Sequence, residues 1–171
     1  MSFSSSTRTD FRRYYLPVIL WAVVIAVLST SGFDTTFTYK LLKAANELLS
    51  LGYTTAQLRE ANAVVRKLAH VTEYFILGLL LWRALRRGRF EAWRWSWAAG
   101  TFLLGVAWAG LDELHQVFER GRGSSVVDVG WDSLGLLLGL SVLFVRSWRK
   151  GAIVRQRQGT TSVVPKEEAK E

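Results

Sequence analysis

The sequence predicts an all-α polytopic membrane protein, with four transmembrane helices and an interfacial amphipathic helix between spans one and two. Three observations carry that prediction. Hydrophobic residues make up 50% of the 171-residue chain, and they are gathered into blocks near the roughly 20 residues a helix needs to cross about 30 Å of hydrocarbon. The net charge of +8 collects in arginine clusters beside those blocks and in the terminal segments, as in the cytoplasmic flanks of membrane helices. Most of the eight tryptophans stand where an interfacial belt belongs. The charge pattern therefore points to a membrane and not to nucleic acid. With no cysteine, disulfides, thiolate metal sites and a cysteine nucleophile are all excluded.

Residues 1–13 are Ser-rich and basic, with Arg8, Arg12 and Arg13, and are expected to be disordered. The first span runs from Tyr14 to Gly32, with Pro17 near its start, where a helix tolerates proline. The same stretch, a basic start followed by an apolar core and STSG, also fits a cleavable signal peptide. A retained helix is the preferred reading because the run is long enough to span. From Thr36 to Leu51, Phe37, Leu41, Leu42, Ala45, Leu48 and Leu49 share one helical face opposite Lys40, Lys43, Asn46 and Glu47, the pattern of a helix lying in the interface. Gly52 is a candidate stop, and Thr54 with Gln57 forms a capping box that opens the next helix.

That helix continues into the second span, from about Lys67 to the arginines at 83, 86, 87 and 89. These and Arg94 make the following connection cytoplasmic by the positive-inside rule. The third span runs from about Trp95 to His115, and the fourth from Val126 to Arg146. The membrane domain thus covers residues 14–148, and residues 149–171 read as a disordered cytoplasmic tail. Both termini fall on the cytoplasmic side of the plasma membrane.

This topology delivers charged residues from three distant segments to one depth in the outer third of the bundle. His70 and Glu73 come from span two, Asp112, Glu113, His115 and Gln116 from span three, and Asp128 and Asp132 from span four, with Arg120 and Arg122 in the loop between. Ionisable groups at such a depth are functional by default. On span four Asp128, Asp132, Gly135 and Gly139 recur at steps of four, three and four residues, so both carboxylates share a stripe with a close-packing GxxxG pair that faces the bundle. The carboxylates admit two readings: ion pairs with Lys67, Arg120 or Arg122 that lock helices, or acid and base groups of a site. The histidines and acids have metal-permissive but unspecific spacing, and neither metal nor cofactor is assigned. Lys67, Arg120 and Arg122 suit an anionic head group, with interfacial snorkelling as the alternative. Ser124 and Ser125 lack the frame of a nucleophile elbow.

Two patterns, RKLAHVTEYFILG at 66–78 and DELHQVFERGRGSSVVDVGWDSLGLLLG at 112–139, resemble the VanZ-like family of small integral membrane proteins. The first supplies Lys67, His70, Glu73 and Tyr74. The second supplies Asp112, Glu113, Gln116, Phe118, Gly121, Arg122, Ser125, Asp128 and Asp132. Ser133 departs mildly from the Thr or Asn of many relatives. The resemblance implies a cell-envelope role, since the family takes its name from tolerance to teicoplanin, a lipid-tailed glycopeptide that acts outside the membrane.

The expected function is binding or modification of an amphiphile with an anionic head group, a membrane lipid or lipid-linked envelope molecule, on the extracytoplasmic side. His70, Glu73, Asp112 and Glu113 are the acid and base candidates. Lys67, Tyr74, Gln116, Arg120, Arg122, Ser125, Asp128 and Asp132 are the binding candidates. A proton- or ion-coupled transporter and a non-catalytic membrane scaffold are the rival readings.

Overall fold

A computed structural model describes residues 9–29, 35–87, 89, 93–118 and 126–161, and all regular structure among them is helical. The first helix begins at Thr9, earlier than the sequence predicts. A π-helical turn at Phe11–Tyr15 leads into α1, Leu16–Leu28. Proline at residue 17 explains the wide turn: it lacks an N–H and its ring crowds the carbonyl four residues back, while the N–H of Leu16 reaches the carbonyl of Phe11. The guanidinium of Arg13, 5.5 Å from the Tyr14 ring centroid, and the stacked Phe11 and Tyr15 rings hold these basic residues in the helix.

Helix α2, Thr35–Leu48, lies on the helix that follows it. It turns Leu42 and Ala45 inward and leaves Phe37, Leu41, Leu48 and Leu49 exposed. Its end corrects the sequence-based stop at Gly52. Ser50 is the left-handed residue, with φ 50°, and the N–H groups of Ser50 and Leu51 return to the carbonyls of Glu47 and Asn46. That is a Schellman ending, in which glycine carries no Cβ penalty. Ser50→Gly is therefore expected to stabilise the protein by about 0.5–1 kcal/mol, read as a raised melting temperature in detergent. Gly52 supplies a second left-handed residue, φ 72°. The Asn46 side chain clamps the backbone of Tyr53, and Thr54 and Gln57 form the expected capping box.

Helix α3, Thr55–Arg86, has 32 residues. At 1.5 Å per residue it is about 48 Å long, so its first turns project beyond a bilayer core. It packs against every other helix and most extensively against the last. Helix α4, Trp95–Phe118, and helix α5, Val126–Thr161, complete the bundle. The last helix runs past Gly151, where the sequence leads one to expect an unstructured tail, and no proline interrupts it before Pro165.

The core gathers Ile25, Tyr74, Leu77, Ala109 and Leu136, with a second cluster of Trp82, Ala98 and Leu140. Leu136 seats its methyls where Gly105 and Gly78 leave room, and Gly135 lies directly on the backbone of α3 at Val71 and Phe75. Outward faces of α1 and α5 expose Leu20, Val23, Val27, Leu137 and Val142, a surface suited to lipid. Three stretches, Phe11–Leu28, Thr55–Arg86 and Val126–Lys150, are long and apolar enough to cross a membrane. At 24 residues α4 has the length, but its Trp, Gly and acidic residues make it more polar.

Candidate functional site

The five helices share two distinct ends. At one, Arg83 and Arg87 of α3 meet the tyrosines ahead of α1. Arg83 lies 5.8 Å from the Tyr14 ring, and Arg87 Nε donates to the Tyr15 hydroxyl at 2.8 Å. Trp82 and Trp93 stack nearby at 4.5 Å, and Phe144 of α5 meets Trp93 edge-on. From this belt, Ser29, His70, Asp112 and Asp132 each lie 14–16 residues along their own helix, counting from Tyr14, Arg86, Trp97 and Arg146. At helical rise that is about 21–24 Å in every case. Four helices thus bring polar side chains to one level, a depth set by helix length alone.

Direct bonds join them there. Ser29 Oγ donates to Asp112 Oδ2 at 2.5 Å, tying the end of α1 to α4. The Trp21 indole N–H donates to the backbone carbonyl of Glu73 at 2.9 Å, tying α1 to α3. His70 Nδ1 lies 3.1 Å from Asp132 Oδ1, joining α3 to α5, and the Asp132 side chain is only 2% exposed. A buried carboxylate has to be paired, and here imidazole is the partner. Among the described residues Asp132 pairs with His70 and not with Lys67. Asp128, half-buried in the first turn of α5, stays within Coulombic reach of His70 and Asp132.

A cavity of about 290 Å³ opens beside this network. Leu28, Ser29, Phe37 and Thr38 form one wall, and Arg66, Ala69, His70 and Glu73 of α3 form the other. Since His70 turns Nδ1 to Asp132 and also lines the cavity, Nε2 is the nitrogen left for a bound molecule. Glu73 also lines the cavity, and none of the described residues gives its carboxylate a hydrogen bond or ion pair. A cation, a set of hydrogen-bond donors and an acid–base pair are all within the reach of a small ligand here.

The family model described as VanZ/LLP1 matches residues 14–147. The chain belongs to the VanZ-like family. No curated protein and no solved structure matches it. In this VanZ-like protein the match covers every candidate residue, and the structure sorts them. His70, Glu73, Asp112 and Asp132 converge as the sequence predicts, and Glu113 is buried beside Asp112. Tyr74 is fully buried in the core, its hydroxyl without a hydrogen-bond partner among the described residues. Lys67 is exposed and sits 5.3 Å from the Trp131 ring centroid, so it packs on α5 and does not line the cavity. His115 is exposed. Arg120, Arg122 and Ser125 lie outside the described residues, as does the side chain of Gln116. Among the described residues no three metal-type side chains come together.

Two features of the VanZ-like site escape a reading by sequence. Arg66, next to Lys67, is the cation that lines the cavity. Its spacing to His70 and Glu73, four and seven residues, was the available signal. Ser29, in the STSG stretch that fits a cleavage site, instead holds a buried carboxylate.

Proposed function

We propose that this VanZ-like protein is a four-span protein of the plasma membrane, with both termini cytoplasmic, that binds or modifies an envelope amphiphile with an anionic group in its head and thereby contributes to glycopeptide tolerance. In this reading α4 is the third span, kept in the bilayer by packing against α3 and α5, and α2 rests in the outer interface on Phe37, Leu41 and Leu48. The arginine-rich ends face the cytoplasm, so the cavity opens near the outer surface. Retention of the first span is supported by its packing, which brings Ile25 to the core and Ser29 to the polar network. Lipid-linked envelope molecules and the drug are reached from that side.

The observation that carries the reading is the cavity itself, with Leu28 and Phe37 at its apolar lip and Arg66, His70 and Glu73 on its polar wall. Its size stands at the lower end of ligand pockets. It accommodates the head group of a lipid and not a whole glycopeptide, so tolerance arises through the lipid partner. Arg66 holds the anion, and His70, Glu73, Asp112 and Glu113 serve any proton transfer. Asp128 adds a charge within Coulombic reach of His70 and Asp132.

The test is a titration of purified protein in nanodiscs with lysophospholipids against a neutral monoacylglycerol, followed by tryptophan fluorescence. Arg66→Ala is expected to weaken lysophospholipid binding about tenfold or more, the loss of a charge-assisted hydrogen bond. Equal affinities for the phosphate-bearing and neutral probes would contradict the proposal.

A further inference from the structure

The charges around the cavity do not suit a simple anion. Among the described residues that line it, Arg66 is the one fixed cation, while Glu73 lines it directly and lies within Coulombic reach of His70, Asp132 and Asp112. A head group that carried only negative charge would set that charge beside three carboxylates, in surroundings where screening by water is reduced. The Glu73 carboxylate is also the group for which the described residues offer no hydrogen bond or ion pair, on a helix that crosses the membrane. Exposed lone carboxylates on soluble proteins are unremarked, but at this depth they take partners.

We infer that the cavity selects a zwitterionic lipid head group, with a primary ammonium on Glu73 and a phosphate on Arg66. This rests on the reading of the cavity as a lipid site. Arg66 and Glu73 stand two turns apart on one face of α3, about 10 Å of helix rise, and both line the cavity with His70 between them. That spacing suits one small head group that carries both charges. An ammonium offers three donors, which match the Glu73 carboxylate and the nearby cavity-facing Nε2 of His70. Leu28 and Phe37, at the lip, lie where the first carbons of the lipid chain would leave the cavity.

The experiment compares lysophosphatidylethanolamine with lysophosphatidylglycerol, two probes of like chain and phosphate that differ in the amine. Full-length protein in phosphatidylcholine nanodiscs is expected to bind the ethanolamine lipid about tenfold more tightly. Glu73→Gln, isosteric and checked by gel filtration and melting temperature, is expected to bring the two affinities level. Equal binding of both lipids to the wild type, with Arg66→Ala weakening both, would overturn the amine assignment and leave the anion site standing. Binding of neither lipid would overturn both readings together.

Discussion

Replacing Gly135 by alanine is expected to open the seam between α3 and α5 and to cost about 3 kcal/mol or more of stability. A Cβ built there runs into the carbonyl oxygen of Val71 and comes within 3.0 Å of the Phe75 amide nitrogen. Both obstacles are backbone, so no rotamer change relieves the overlap, and the two helices must part along their most extensive contact. Their separation also disturbs Asp132, three residues earlier and bonded to His70 across the same seam. Gly130 is the control, because a Cβ at that position of α5 meets nothing within 4 Å. Gly130→Ala is expected to be neutral, or stabilising by up to about 1 kcal/mol through helix propensity. Thermal denaturation of both variants in one detergent distinguishes them, and equal melting temperatures would contradict the packing described.

Asp132→Ala is expected to cost about 3–5 kcal/mol, because it removes the one bonded partner that the described residues give a largely buried imidazole and leaves a void beside it. Replacing both members with leucine is expected to be far less damaging than the two single losses added together, since no polar group is then stranded. A double-mutant cycle over His70 and Asp132, measured by denaturant or thermal unfolding, reads this coupling directly. Additive losses would mean that the 3.1 Å contact contributes little to holding α3 on α5. Asp132→Asn keeps an acceptor for Nδ1 and is expected to fall between wild type and alanine.

Local pairings were legible from residues alone. Thr54 and Gln57 lie within one turn, so the capping box they announce needs no tertiary help. The stripe through Asp132, Gly135 and Gly139 was legible for the same reason, and its burial against α3 follows from two residues without side chains to hold the helices apart. Long-range pairings were not legible. Ser29 and Asp112 are 83 residues apart, and nothing in either segment marks the other. The choice between Arg66 and Lys67 turned on about 100° of helix azimuth, which was decided by Trp131 of another helix attracting the lysine. Helix α4 reads as a span through its length and its tryptophans, while Asp112 and Glu113, the residues that give it a role, lower its hydropathy.

In the proposed topology the polar ends of four helices meet beneath the outer surface while the arginine-rich ends face the cytoplasm. The chain contains no cysteine, so single cysteines can be read without background. In intact cells, a membrane-impermeant maleimide is expected to label Thr38→Cys, at the wall of the cavity, and to label Arg89→Cys only after permeabilisation. Labelling of Arg89→Cys from outside, with Thr38→Cys protected until the membrane is opened, would contradict the account.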